Sequence, residues 1–233
     1  MPRSGSNLLH TLLNSHSAII CHGELFNRRA IYSALDRWHE LSHARKLWAL
    51  TYRAVTPVGF LERHLDATSK ARKEASALGF KLFPYHSRRI LQHVGKSQEY
   101  RVVYLTRKNP ILQYASDRSA RQTNKWLSVE QHTRLEMLDK VTFCENDFRH
   151  YVSRLCYYDK SVRTVLRKNI LLEVAYESID QSLLQIQEFL GVSPSNALRT
   201  KMRKQHSNDW RDRFTNPDEL EIALSSTEWE AYL

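Results

Sequence analysis

Leu8, Leu9, Leu12 and Leu13 repeat at helical spacing directly after a stretch of small residues, and Ala18-Ile19-Ile20-Cys21 follows as a short buried-strand pattern. Ile31, Leu35, Trp38, Leu41, Leu47, Trp48 and Leu50 continue at helical intervals until Pro57 and Gly59 interrupt them. That spacing predicts a long helix over 29–53, inside a helical insertion covering 29–76. Ala77 to Phe83, ended by Pro84, predicts a second strand, and the β-branched and aromatic run Tyr100 to Thr106 a third. Arg107-Lys108-Asn109-Pro110 reads as a turn with proline at a helix-starting position, and Ile111 to Trp126 as the helix it opens. Phe148, Val152, Leu155, Val162 and Val165 share a helical face over 146–168. The strand Ile170 to Ala175 and a helix closing at Gly191 complete the pattern. Strands alternating with helices predict an α/β fold, a parallel sheet flanked by helices with its ligand crevice at the carboxyl ends of the strands. The chain reads as one domain over 1–233, with 193–233 a C-terminal basic loop and helices, and Arg199 to Phe214 a polar surface segment.

Composition narrows the class. The 233 residues are 42% hydrophobic and 26% charged with only 6 Gly and 6 Pro, which excludes collagen-like and disordered chains. A net charge of +10 favours an anionic partner without naming it. Cys21, Cys144 and Cys156 are odd in number, widely spaced and without a CxxC pair, so they support neither a disulfide framework nor a zinc knuckle. No stretch reaches the roughly 20 apolar residues of a membrane span. Arg3, Asn7, His10 and Asn14 also interrupt any secretory apolar region, so a cytoplasmic location is expected.

The candidate chemistry begins at Pro2-Arg3-Ser4-Gly5-Ser6-Asn7-Leu8-Leu9. A loop of small residues entering a helix offers unpaired amides and the positive end of the helix dipole, which is how phosphate is held. Read alone, the same loop is an ordinary Ser/Gly helix cap. A triphosphatase loop would need Gly-Lys-Ser/Thr after its first glycine, and here Gly5 runs into Ser6-Asn7 with no lysine. Arg107 follows the third strand and Ser116 lies nine residues on, so a second anion site faces the same crevice.

These pieces, in this order, together with Gly23-Glu24, Tyr176-Glu177 and Phe189-Leu190-Gly191-Val192, resemble the sulfotransferases that use 3'-phosphoadenosine 5'-phosphosulfate (PAPS). The nearest likeness is to the bacterial carbohydrate branch that includes nodulation-factor and trehalose sulfotransferases. The resemblance implies a phosphate-loop-type fold and a transferase moving a sulfuryl group from PAPS to a hydroxyl, of a carbohydrate by preference. It implies that Arg3, Ser4, Gly5, Ser6, Asn7 and Leu8 hold the 5'-phosphosulfate, that Arg107 and Ser116 hold the 3'-phosphate, and that Tyr176 lies beside the nucleotide. Arg203, Lys204, Arg211 and Arg213 are candidates for a basic segment closing over it. Glu24 is the implied general base, with His22 and His86 as fallbacks, and Lys81 the residue that steadies the transferring group beside Arg3. The hormone-type branch has a histidine two residues after that lysine, where this sequence has Phe83.

In the family an apolar central strand precedes the phosphate loop, whereas this sequence opens on the loop itself. The first central strand is therefore expected to be missing, with a start codon assigned too late as the reason. No metal, no membrane span and no nucleic-acid partner are expected. The rival readings are a kinase-like nucleotide enzyme, a basic nucleic-acid-binding module and a relative that binds nucleotide without turnover. Trp38, Trp48, Trp126, Tyr32, Tyr52 and Tyr114 stand as acceptor-lining or packing aromatics.

Overall fold

The computed structural model describes residues 2–35, 38–124, 126, 140–202 and 209–233. Four strands form two parallel pairs among them. β1 (Ile19–His22) runs beside β2 (Ala77–Phe80) with Ile19 opposite Ala77, and β3 (Arg101–Thr106) beside β4 (Ile170–Ala175) with Arg101 opposite Ile170. The helices are α1 (Ser6–Leu13), α2 (His43–Val55), α3 (Pro57–Ala71), α4 (Arg88–Lys96), α5 (Pro110–Thr123), α6 (Glu145–Leu166), α7 (Ile179–Leu190) and α8 (Pro217–Leu224). This is a mixed α/β fold with parallel pairing, and no described helix is long and apolar enough to cross a membrane.

Local chemistry sets the boundaries. Ser87 and Asn109 cap α4 and α5 by accepting the amides of Ile90 and Leu112, and Pro110 supplies the preset φ at the start of α5. Gly191 ends α7 in the left-handed conformation at φ 77°, where a side chain would be strained.

Three apolar clusters fill the interior. One joins Leu25, Phe26, Phe60, Leu61 and Ile90 to Tyr104 and Val162. A second gathers Ile111, Tyr114, Phe148, Phe214, Leu220 and Leu224. The third packs Leu9, Leu12 and Leu13 of α1 against Ile19, Leu105, Val174, Ile179 and Ile186, so the start of the chain is anchored on both strand pairs and α7.

Two expectations are corrected. Among the described residues, the helix expected over 29–53 begins at His43, apart from a short 3-10 turn at Trp38–Glu40. The buried Arg53 guanidinium donates to the Leu25 and Ala30 carbonyls at 2.7 and 3.0 Å, and His22 Nδ1 accepts the Ala34 amide at 3.0 Å. Tertiary partners thus satisfy a loop backbone that the apolar spacing assigned to a helix. Residues 199–214 are not all surface either: Trp210 and Phe214 are core residues, and Val141 and Phe214 form a parallel bridge. Two elements, α4 and α8, lie where the sequence pattern named none individually.

Candidate active site

The segment from Pro2 to α1 makes a strained turn. Arg3 and Gly5 are both left-handed, at φ 55° and 79°, and no side chain caps α1. Turns of this kind aim successive amides into a concavity that suits an anion. Tyr176 closes one wall: a Cβ built on Gly5 would lie 2.2 Å from its Cδ2. Gly5→Ala is therefore expected to cost about 1–3 kcal/mol, from backbone strain and displacement of Tyr176, which a chemical denaturation curve would measure.

The Arg3 side chain leaves the turn and donates from Nε to Ser116 Oγ at 2.9 Å. Arg107 NH1 donates to the Arg3 carbonyl at 3.2 Å, and its guanidinium lies 4.8 Å from the centre of the Tyr176 ring. Two groups expected at opposite ends of a nucleotide are thus in contact through Arg3. Glu177 accepts the amides of Lys108 and Asn109, which fixes the turn carrying Arg107. Arg213 joins them from the far end of the chain.

Burial, then the charges of Arg107 and Arg3, bring the Arg213 pKa down to about 10. Burial lowers Arg3 and Arg107 as well. Among the described residues, Arg107 Nε, Arg213 NH2 and Tyr151 Oη are buried without a hydrogen-bond partner. Desolvated cations with unused donors are unfavourable alone, so these residues fit a multiply charged anion carrying phosphate oxygens.

A second group lies across the turn. Lys81 follows β2 and bridges Asn7 Oδ1 and Glu24, with Nζ 2.9 Å from Glu24 Oε1. Glu24 Oε2 accepts Asn27 Nδ2 at 2.8 Å and lies 3.4 Å from His86 Nε2. Burial pushes the Glu24 carboxyl up, but the His86 hydrogen bond, the Lys81 charge and the Asn27 hydrogen bond outweigh it and hold it at about 2. The carboxylate is linked through Lys81 to the first turn of α1. This arrangement can neutralise an anion on one side and take a proton on the other.

Other candidates scatter. Ser4 is fully buried, and the Leu8 side chain packs against the third apolar cluster. His22 is fully buried: Nδ1 takes the Ala34 amide, Nε2 meets Thr68 Oγ1 at 3.0 Å, and burial with His64 and His10 nearby lowers it to about 4. Both of its ring nitrogens are engaged by the fold. Arg211 pairs with Glu221 at 2.6 Å, and Arg203 and Lys204 lie outside the described residues. Tyr114 is a core residue, whereas Trp48 is 65% exposed and stacked on Tyr52, and Tyr32 is exposed over Gly23 beside Glu24. Trp38 packs against the first cluster, and Trp126 lies under Arg3.

Tyr151 and Asn27 carried no signal in the sequence. His86 enters because the turn from Phe83 to His86, closed by a 2.9 Å amide bond, folds it back onto Glu24.

The profile described as the sulfotransferase family matches residues 1–196. Nodulation protein H of Rhizobium tropici is similar to the chain, at 26% identity over 186 residues, which is 77% of this chain and 66% of that protein. The chain thus spans just under two thirds of that relative's length.

Proposed function

The chain belongs to the sulfotransferase family, and from that premise we propose that it transfers a sulfuryl group from PAPS to an acceptor hydroxyl, preferentially of a carbohydrate. The observation that carries the reading is the convergence of Arg3, Arg107 and Arg213, the last two with buried unused donors, beside Ser116, with the Glu24–Lys81 pair linked to the start of α1 through Asn7.

In this reading Arg107, Arg213, Ser116 and the Arg3 guanidinium hold the 3'-phosphate, and Tyr176 flanks the nucleotide. The amides of the turn from Ser4 to Leu8 hold the 5' end. The bound donor supplies an activated sulfuryl group on a phosphate leaving group. Lys81 stands between Asn7 and Glu24 and offsets charge on the transferring group. Glu24 takes the proton of the acceptor hydroxyl. Tyr32 and Tyr85, exposed near Glu24, offer aromatic faces to a sugar ring.

Thermal melting tests the nucleotide preference. Adenosine 3',5'-bisphosphate at 100 times its Kd should stabilise the protein by about 2.7 kcal/mol, and ATP with magnesium far less. Equal shifts would favour a kinase-like enzyme. Strongly salt-dependent binding to duplex DNA without a nucleotide response would favour a nucleic-acid module.

A further inference from the structure

The two oxygens of Glu24 are held differently. Lys81 Nζ reaches Oε1, while Oε2 takes the Asn27 amide and faces His86. The His86 side chain is only 3% exposed, and its ring meets those of Phe83 and Tyr85 nearly perpendicular, each centroid 5.0 Å away. Its Nδ1 accepts the Phe83 amide at 3.4 Å. With Nδ1 used as an acceptor, the hydrogen-bond pattern assigns the ring proton to Nε2, the atom that faces Glu24.

We propose that His86 is a positioning residue: its Nε2–H fixes Oε2 of Glu24, so that Oε1, the oxygen shared with Lys81, is turned to the acceptor hydroxyl. The proposal rests on the reading of Glu24 as the base. In the reaction the acceptor O–H proton passes to Oε1 as the acceptor oxygen bonds to sulfur. The bond from sulfur to the phosphate oxygen breaks, and its electron pair leaves with the phosphate. His86 does not take the proton, because Nε2 already carries one and Nδ1 faces the backbone. Among the described residues, the charged and titratable groups facing Glu24 are Lys81, Tyr85 and His86 from the segment after β2, and His10 from α1. Of these, Lys81 meets the carboxylate at Oε1, 2.9 Å away, and His86 faces Oε2 at 3.4 Å, beside the Asn27 amide.

Two substitutions separate donor from shape: His86→Phe keeps a ring among Phe83 and Tyr85 without the donor, and His86→Gln keeps a donor without the ring. Turnover is followed as release of adenosine 3',5'-bisphosphate from PAPS, using the fastest acceptor from a panel of sugars and small alcohols. His86→Phe is expected to lower kcat by about tenfold or more, with the KM for PAPS unchanged. Losing a hydrogen bond to the charged form favours the protonated one, so the acid limb of its kcat profile should move to higher pH. His86→Gln should recover most of the rate and return the limb toward the parent. An unmoved limb in His86→Phe, or His86→Gln behaving no better, overturns the proposal. In a Glu24→Gln background His86→Phe should cost nothing further, and a further loss there also overturns it. If Glu24→Gln alone turns over like the parent, the assignment of the base is what fails.

Discussion

Arg107→Ala is expected to erase the rise in Tm that adenosine 3',5'-bisphosphate gives the parent protein. The guanidinium is held by the Arg3 carbonyl and the Tyr176 ring, with Nε buried and without a partner among the described residues. An anion entering there meets a preformed donor and pays no cost to organise it. Truncating one partner of a buried, hydrogen-bonded charge pair costs about 2–5 kcal/mol, which weakens binding at least roughly 30-fold. At ligand concentrations that shift the parent clearly, the variant should then show little or no shift. Lysine at this position should recover only part of the affinity, because it restores the charge without the planar fork. Titration calorimetry reads both variants, and parental affinity in Arg107→Ala would remove the arginine cluster from the nucleotide site.

Glu24→Gln should do the opposite: leave the nucleotide shift intact and lower turnover by about 10²–10⁴-fold, the usual contribution of a general base. Turnover at the parental rate would discard the assignment. The substitution also has a signature in stability. The Glu24 carboxyl is held at about 2 against an ordinary value of 4.5, so the folded state binds its proton less readily than the unfolded chain. Its stabilisation is fully present above 4.5 and disappears as pH falls toward 2, and is worth at most about 3 kcal/mol. The glutamine variant should therefore lose that part of the acid destabilisation, which a series of melting curves between pH 2 and 5 would show.

Such a low pKa makes Glu24 a poor base while Lys81 rests on it. Lys81 also reaches Asn7 in the first turn of α1. In the proposed reaction, drawing its charge toward a bound anion would remove one cause of the depression and make the carboxylate more basic.

Local sequence carried the strands and long helices well. Ile170–Ala175 matches its apolar run, β3 lies within one residue of the expected start, and α6 and α7 follow their apolar faces. Those segments combine strong periodicity with capping or breaking residues at their ends. The segment 29–42 misleads because apolar spacing does not distinguish a helix from irregular backbone: the Ala30 carbonyl and the Ala34 amide find their partners in Arg53 and His22, 23 and 12 residues away. Trp210 and Phe214 sit in a basic stretch whose local polarity hides their burial.

The candidate site is legible as residue types: the sequence singles out Arg3, Arg107, Ser116, Glu24 and Lys81, and the structure brings them into two contacting groups. Its arrangement is not legible in the sequence. That Arg3 leans on Ser116, that Arg213 completes the cluster, and that His86 meets Glu24 depend on contacts across 113 residues, on a C-terminal turn, and on a four-residue loop. No periodicity encodes such meetings.

The bridge between Val141 and Phe214 reaches beyond packing. Val141 donates to the Arg213 carbonyl and Thr215 to the Val141 carbonyl, at 3.0 Å each, so the main chain itself sets where Arg213 stands. An anion gripped by Arg3, Arg107 and Arg213 would clasp together the front, the middle and the tail of the polypeptide. Ligand capture and the docking of the tail would then be a single cooperative event, and proteases would find the C-terminal third hardest to cut when the clasp is fastened.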